Sequence, residues 1–326
     1  MENVIIPQID VHLGPDDLDA ALRADLREGL TISPKDLPPK WLYDTRGSDL
    51  FDQITRLAEY YPTEAERSIL LANAADIVAR ARATTIVELG SGTSDKTRAL
   101  LDAARAGGDL ERFIPFDVSE MFLRDAAFML AERYPGLEVH GVVGDFDRHL
   151  DRIPQGGRRL VMLLGGTIGN YQPIERKELL SDIVGTLQPG DHVLLGTDLI
   201  KDVARMEVAY DDPEGVSAAF AKNVLHVMNR ELGAEFDPNS FEYVARWDHD
   251  NEWIDMGLRS RWAQTVHVAD LDLDVQFERG EIMRNEVSSK FDPDAFTDEL
   301  ASVGLSVVQW YHDDARDFGV SLSVVR

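Results

Sequence analysis

Residues 86–98, IVELGSGTSDKTR, have the side chains and spacing to hold a cationic, nucleotide-like ligand. A β-branched run, Ile86 and Val87, ends in the acid Glu88. Gly90 and Gly92 follow two apart, and then Ser94 and Asp95, which can start a helix. Glycine tolerates positive φ and puts no Cβ in the way, so a ligand can lie against such a turn. Strand, Gly-rich turn and helix N-terminus make the first crossover of a doubly wound sheet, whose carboxyl edge is where ligands bind. The dinucleotide fingerprint G-x-G-x-x-G needs a third glycine where this chain has Asp95, an acid in the place of a pyrophosphate. No G-x-x-x-x-G-K-[ST] stretch occurs either. NAD, FAD and P-loop nucleotides are therefore disfavoured, and an acidic turn free of phosphate suits a positively charged ligand.

The pattern acid-x-Gly-x-Gly resembles motif I of class I S-adenosylmethionine (SAM) methyltransferases, whose ligand carries a sulfonium and an ammonium. Glu88, Gly90 and Gly92 are then cofactor-turn residues. After an expected helix over 95–106, FIPFDVS ends a strand in Asp117, placed to accept both ribose hydroxyls of an adenosyl ligand. LEVHGVVGDFD gives a third strand ending in Asp145 and Phe146. In such enzymes an acid here takes the exocyclic amine of adenine and an aromatic side chain lies on the ring. Each acid alone is more often a helix cap or a solvated turn, but three at successive strand ends, in order, argue for SAM.

Strands alternating with helices must position these residues. Residues 18–30 carry apolar residues at helical spacing, and SPKDLPPK (33–40) is a Pro-rich break. The aromatic-rich KWLYDTRGSDLFDQITRLAEYYPTEAE follows, and Thr63 starts a helix toward Ala81. Strands near 85–89, 113–117, 138–143, 160–165 and 192–197 alternate with helices, which argues for a parallel sheet. Past Asp198 the pattern changes to helical over 201–232 and strand-like over 255–267 and 271–289. A helix at 292–303 and the closing strands LSVVQWYHD and FGVSLSVVR end the chain. A terminal hairpin fits the class I methyltransferase sheet, whose last strand inserts antiparallel. The expected architecture is α/β: a Rossmann-like SAM-methyltransferase domain from 65–200 and 290–326, with an inserted α+β substrate-binding domain from 1–64 and 201–289.

The chain has 326 residues, 44% of them hydrophobic, enough for one large or two medium domains with an ample core. It has no cysteine, which excludes a disulfide framework, thiolate metal sites and a cysteine nucleophile. MENVIIPQIDVHLG lacks the basic and apolar regions of a signal peptide. The longest apolar run, around LVMLLGGTIG, is too short to span a bilayer. A cytoplasmic monomer that binds no membrane is expected. The net charge of −26 repels a phosphate backbone, so nucleic acid is not the substrate. An acidic field favours cationic or zwitterionic small molecules. The eight histidines show no metal-binding spacing, and DHDNEW (248–253) lacks the register of a calcium loop and reads as a solvated turn, so no metal is expected.

After the fourth parallel strand, GGTIGNYQP places Asn170 where adenine-N6 and glutamine methyltransferases carry an N-P-P-[YF] loop. An Asn offers both a carbonyl and an amide, and so can touch an amine and a carboxylate on one substrate. It can equally stabilise its own turn.

At full length the chain resembles the L-histidine Nα-methyltransferases of ergothioneine biosynthesis. The segments that carry the likeness include LPPKWLYDTRGSDLFDQIT, EYYPTEAE, VELGSGTSDKTR, RFIPFDVS, GGTIGN, LLGTDLIKD, AYDD, GEIMRNEVSSKF and DFGVSLSVVR. The resemblance implies transfer of three methyl groups from SAM to the α-amine of L-histidine, giving hercynine and S-adenosylhomocysteine. It also implies roles. Asn170 and Tyr210 hold the α-carboxylate and amine, with the Gly165 backbone and Thr167 nearby. Tyr43 stands beside the methyl-accepting amine and Phe51 walls the pocket. Glu286 and Ser288 read the imidazole, with Tyr60 and Met256 around the ring. Gly90, Lys96, Asp117, Asp145 and Phe146 form the cofactor shell. The chain departs from the family at Gly166, commonly Ser, and at Gly257, commonly a bulky aromatic. Because Gly257 adjoins Met256, a roomier pocket wall is expected there.

Elementary chemistry agrees with this reading. Methyl transfer to an amine needs a neutral nitrogen lone pair, and a free α-amine is largely protonated near neutral pH. A positive charge about 4 Å away is worth ~4 kcal/mol at an effective dielectric of 20. A sulfonium can therefore lower the amine pKa by up to roughly three units. No strong general base is required; Tyr43 and water can carry the proton off, and positioning does most of the rest. A Glu on a strand is usually solvated, but in the NEVSS match Glu286 faces an imidazole N–H. A buried carboxylate there rejects substrates that lack the donor. Two alternatives are an N-methyltransferase of another aromatic amino acid such as tryptophan, and a SAM-binding module without catalysis. Glu286 with Ser288 argues against the first, and Tyr43, Asn170 and Tyr210 against the second.

Overall fold

The computed structural model describes residues 6–92 and 96–326; Ser94 and Asp95, the expected helix start, lie outside them. Among the described residues the strands are, in chain order, β1 (Gln8–Val11), β2 (Thr85–Leu89), β3 (Arg112–Asp117), β4 (Glu138–Val143), β5 (Arg159–Leu163), β6 (His192–Asp198), β7 (Phe241–Asp248), β8 (Trp253–Ser260), β9 (Gln264–Val268), β10 (Leu273–Phe277), β11 (Ile282–Ser289), β12 (Leu305–His312) and β13 (Phe318–Val325). The chain divides into two compact units. One is Met1–Gly14, Pro62–Leu199 and Phe291–Arg326; the other is Pro15–Tyr61 and Ile200–Lys290.

The first unit is built on an eight-stranded sheet in the order β1-β4-β3-β2-β5-β6-β13-β12. From β1 to β6 every neighbouring pair is parallel, and β13 enters antiparallel against β6 with β12 beside it. This is the expected α/β class. All five residues of β2 are buried, as a parallel strand covered by helices on both faces requires. On one face the helices Pro62–Ala81, Arg98–Gly107 and Glu120–Arg133 pack Ile69, Ile77, Leu101 and Leu130 against Phe113 and Leu160. On the other, Pro173–Gly185 and Pro293–Ser302 bring Leu180, Ile183 and Phe296 onto Val161 and Val193. The strand order reverses between β2 and β5, so the loops leaving their carboxyl ends flank the crevice where open α/β sheets bind ligands.

The grouping of all of residues 1–64 with 201–289 needs correction at its start. Gln8 to Val11 pair in register with His140 to Val143, and Asp10 Oδ2 lies 2.8 Å from His140 Nε2. A four-residue strand is too short to show a hydrophobic period. The helix expected over 95–106 is described from Arg98 to Gly107.

The second unit holds an antiparallel sheet β11-β8-β7, a β9–β10 hairpin, and helices that include Pro15–Thr31, Thr45–Ile54, Val203–Tyr210, Val216–Ala221 and Asn223–Leu232. Its core gathers Leu26, Leu42, Phe220, Leu225, Phe241, Leu258 and Met283. The strand β7 was not expected from the sequence, and DHDNEW makes the β7–β8 turn, closed by Asp248 accepting from the Asp250 and Asn251 N–H groups.

Candidate active site

In the first unit the chain leaves β2 through Gly90 (φ 70°) and Gly92 (φ 47°), left-handed positions that favour glycine. The Gly90 and Ser91 N–H groups both donate to Phe116 O, at 2.9 and 3.1 Å. The Gly92 N–H donates to Asp117 Oδ2 at 2.8 Å, and the Ser119 N–H to Oδ1 at 2.9 Å. The turn is thus pinned to the end of β3. Burial holds the Asp117 carboxyl above the ordinary aspartate range, against the pull of the Ser119 and Gly92 N–H groups. Among the described residues a Cβ at Gly92 would meet nothing within 4 Å, and at Gly90 only Phe146 Cε1, 4.0 Å away.

Asp145 caps the short helix Phe146–His149, with Oδ1 accepting from the Asp147 N–H at 3.0 Å. Its own N–H donates to His149 Nδ1 at 3.1 Å. The Phe146 ring lies 6.4 Å from that of Phe116. Two carboxylates at successive strand ends, an aromatic face and a glycine turn fit an adenosyl group. Glu88 is buried and takes the Thr97 hydroxyl, so it braces the start of the following helix.

Glu66, on the helix Pro62–Ala81, was not singled out from the sequence. Its side chain is fully buried; Oε2 lies 2.6 Å from Lys96 Nζ, and both oxygens accept from the Gly165 N–H, at 2.7 and 3.0 Å. One carboxylate therefore ties the segment after β2 to the loop after β5. There Gly165 and Gly166, at φ 80° and 70°, open a 3-10 turn over Thr167–Asn170. The Thr167 hydroxyl donates to Leu164 O at 2.9 Å.

In the second unit Tyr43 stands between the 3-10 turn Pro39–Leu42 and the helix Thr45–Ile54, whose N-cap is Asp44. Asp44 accepts from the Gly47 N–H at 2.8 Å and from Asn223 Nδ2 at 2.7 Å. Gly47 is required here, since a Cβ would fall 1.7 Å from Leu42 O. The Tyr43 ring packs on Phe51 and Phe220, with centroids 5.4 and 5.1 Å away. Tyr43 keeps 37% of its surface exposed. Even so, desolvation by the surrounding protein, followed by the Glu286 charge, pushes its phenol well above the usual value. Tyr43 is a neutral phenol rather than a phenolate base.

A cavity in this unit is lined by Phe51, Tyr60, Tyr210, Met256 and Glu286, all expected, and also by Phe220, Tyr243 and Asn285. Tyr60 and Tyr210 pack edge to face at 5.7 Å, and the Tyr243 hydroxyl donates to Tyr210 O at 2.8 Å. The register of β11 against β8 shifts between Arg284 and Glu286. Such bulges re-aim side chains next to sites. Here Glu286 comes opposite Met256, while Asn285 is buried with its Nδ2 donating to Ala221 O at 3.0 Å. Glu286 and Ser288 are two apart on one face of β11, and Lys290 follows just past the strand's end. Lys290 was also missed from the sequence. It is 3% exposed and donates to Ser288 Oγ at 2.7 Å and Tyr210 Oη at 2.8 Å, and these two oxygens lie 2.9 Å apart.

The expectation for Gly257 is overturned. It does not line the cavity, because adjacent strand residues point to opposite faces. A Cβ there would lie 2.7 Å from Met283 O and 2.8 Å from Ile282 Cγ2. Among the described residues no group of three or more acidic or His side chains could hold a metal ion, and no helix is long and apolar enough to cross a membrane.

A family model described as histidine-specific methyltransferase, SAM-dependent, matches residues 22–325. The chain is 57% identical to histidine N-alpha-methyltransferase of Mycolicibacterium smegmatis, over 96% of this chain and 98% of that one. It is 54% identical to histidine N-alpha-methyltransferase of Mycobacterium tuberculosis, over 96% and 97%. It is 33% identical to ergothioneine biosynthesis protein 1 of Schizosaccharomyces pombe, over 66% of this chain and 29% of the relative.

Proposed function

The chain belongs to the histidine-specific, SAM-dependent methyltransferases, and from that premise we propose that it transfers three methyl groups from SAM to the α-amine of L-histidine. The product is hercynine, a step of ergothioneine biosynthesis. One observation carries the substrate assignment. Glu286 lines a cavity walled by Phe51, Tyr60, Tyr210 and Phe220, and Ser288 is two residues along the same strand. A carboxylate among aromatic rings, with the Ser288 hydroxyl 2.9 Å from that of Tyr210, suits a small planar ring with an N–H donor.

In this reading the first unit is the cofactor domain and the second the substrate domain. Asp117 accepts from the ribose hydroxyls, Asp145 and Phe146 take the adenine, and the turn of Glu88, Gly90, Gly92 and Lys96 completes the shell. Bound SAM supplies an electrophilic methyl group and a positive charge that keeps a nearby amine deprotonated. Asn170 and Tyr210 hold the α-carboxylate and amine. The neutral Tyr43 hydroxyl accepts from the amine N–H and passes its own proton to water. The faces of Tyr43 and Phe51 accommodate the quaternary ammonium formed last. The enzyme works without a metal, as a cytoplasmic monomer.

The test is incubation with SAM and each amino acid, read by mass spectrometry. L-histidine and its mono- and dimethyl forms should gain methyl groups up to a trimethyl product, while D-histidine and histamine should not react. Rapid turnover of histamine would reject anchoring by the carboxylate.

A further inference from the structure

We propose that His149 is a positioning residue for the adenine end of the cofactor site, holding the Asp145 backbone only while its ring is neutral, so that protonation of the ring weakens SAM binding. The inference rests on the reading of Asp145 and Phe146 as the adenine contacts. The Asp145 N–H donates to His149 Nδ1 at 3.1 Å. A backbone N–H can only donate, so Nδ1 carries the lone pair and the proton of the neutral ring is on Nε2. Asp145 Oδ1 accepts from the Asp147 N–H at 3.0 Å, and Asp145 O from the Arg148 and His149 N–H groups at 3.0 and 2.8 Å. The last residue of this short helix thus reaches back to its N-cap, as the acidic side chain of a capping box does. The carboxylate of Asp145 and the ring of Phe146 both start from the turn that is closed in this way.

Contacts from outside the helix place the ring. Gly144 lets it approach, since a Cβ there would lie 3.1 Å from His149 Cβ and 2.9 Å from Phe116 Cζ. His12, just past β1, donates its N–H to Val143 O at 2.9 Å and lays its ring 6.3 Å from that of His149, 23° from parallel. The N-terminal strand therefore buttresses the residue that holds Asp145. Protonation gives Nδ1 a proton of its own, and two donors then face each other at 3.1 Å. The turn has to open to separate them, which moves Asp145 and Phe146 off the adenine. The other titratable and charged groups on the elements packed here are Asp10 on β1, His12, Asp117 at the end of β3, His140 on β4, and Asp145, Asp147 and Arg148 on the helix segment itself.

The test is calorimetry of S-adenosylhomocysteine binding from about pH 8 to about pH 5.5, across the range in which imidazoles titrate, for the wild type, His149→Asn and His149→Leu. Asn puts an oxygen where Nδ1 stands and takes no proton, whereas Leu has no acceptor. Every other titrating group stays in place, so its effect cancels in the ratio of dissociation constants between wild type and the Asn variant. At about pH 8 the Asn variant should bind within about threefold of wild type, and the Leu variant about three- to tenfold more weakly, the worth of one hydrogen bond. As the pH falls, the wild-type constant should rise about three- to tenfold relative to that of the Asn variant, while the ratio of Leu to Asn stays flat. If a variant fails to fold, NMR of the wild-type imidazole nitrogens reads the same coupling, because linkage is reciprocal. Adding S-adenosylhomocysteine at about pH 6 should then shift the His149 ring toward its neutral Nε2–H form. A ratio of wild type to Asn that is independent of pH, or a ring that does not respond to the ligand, would overturn the inference and leave His149 a helix cap alone. Unchanged S-adenosylhomocysteine binding in Asp145→Ala would instead reject the adenine reading on which the inference rests.

Discussion

Glu66 Oε2 lies 2.6 Å from Lys96 Nζ, and this carboxylate, fully buried, also takes the N–H of Gly165. A buried carboxylate is tolerated only when its charge and lone pairs are met. Here the partners that meet them come from the two loops flanking the reversal in strand order. The segment after β2 that carries Lys96 and the loop that carries Asn170 thus depend on one side chain from a helix beneath them.

Glu66→Ala should therefore damage both loops. Removing one partner of a buried pair costs about 3–5 kcal/mol, and Lys96 at 24% side-chain exposure recovers some of that by hydration. Thermal unfolding should show a large drop in Tm, and Glu66→Gln, which keeps the shape and one acceptor oxygen, a smaller one. In the folded Gln variant, SAM affinity and the KM for histidine should both worsen. A Gln variant with wild-type Tm and both constants unchanged would refute the clamp.

Asp117 gives a second expectation. With two ribose hydroxyls to accept from, Asp117→Ala should weaken SAM binding by about 2–3 kcal/mol while histidine affinity changes far less. Calorimetry with SAM or S-adenosylhomocysteine reads this directly. The sign of the pH dependence follows from burial, which raises this carboxyl. Accepting from the ribose needs the ionised form, so SAM affinity is complete above the raised pKa and is lost as pH falls through it. The loss should begin at a higher pH than for an ordinary aspartate. Unchanged cofactor binding in the Ala variant would reject the assignment of this strand end.

The contrast between Asp117 and Glu66 explains what the sequence could reveal. Asp117 stands at the end of an apolar strand and Gly92 in a Gly-rich turn, so both are marked by their immediate neighbours. Glu66 contacts Gly165 across 99 residues, and Lys290 contacts Tyr210 across 80. Nothing local distinguishes either from a solvated charge on an element surface. The i, i+2, i+4 spacing of Glu286, Ser288 and Lys290 was a visible signal for the second, although the bulge at Asn285 was not. The β1 strand has four residues, too few to show a period, and the alternation of β7 is interrupted by the adjacent buried pair Val244 and Ala245.

Gly257 tests the lesson that neighbours in a strand are not neighbours in a pocket. Because a Cβ there meets the Met283 carbonyl at 2.7 Å, Gly257→Phe should not narrow the cavity. It should strain the β8–β11 pairing by about 1–3 kcal/mol or more, as overpacking does. Guanidinium unfolding should show the loss, and the folded fraction should keep the wild-type preference among amino acids. A stable Gly257→Phe protein with altered preference would place this position on the cavity after all.

Glu286 is proposed to set specificity, and its substitution separates recognition from mere burial. If its carboxylate accepts the imidazole N–H, Glu286→Ala should cut kcat/KM for histidine by several orders of magnitude, the scale seen when a site built for a required donor loses its partner. The same change removes the unpaired-charge penalty against apolar rings, so tryptophan and phenylalanine should lose little or gain. Tyr43 and Tyr243 offer an independent check, since the Glu286 charge contributes to holding both phenols above their usual range. Their titration should move down in the variant. No extra room comes from Gly257, so any gain for tryptophan has to come from the volume and charge that Glu286 vacates beside Met256. A carboxylate on a solvated strand face would leave both substrates within a few-fold of wild type. The histidine-to-tryptophan ratio of kcat/KM, measured for wild type and variant, distinguishes the two, and an unchanged ratio removes Glu286 from the site.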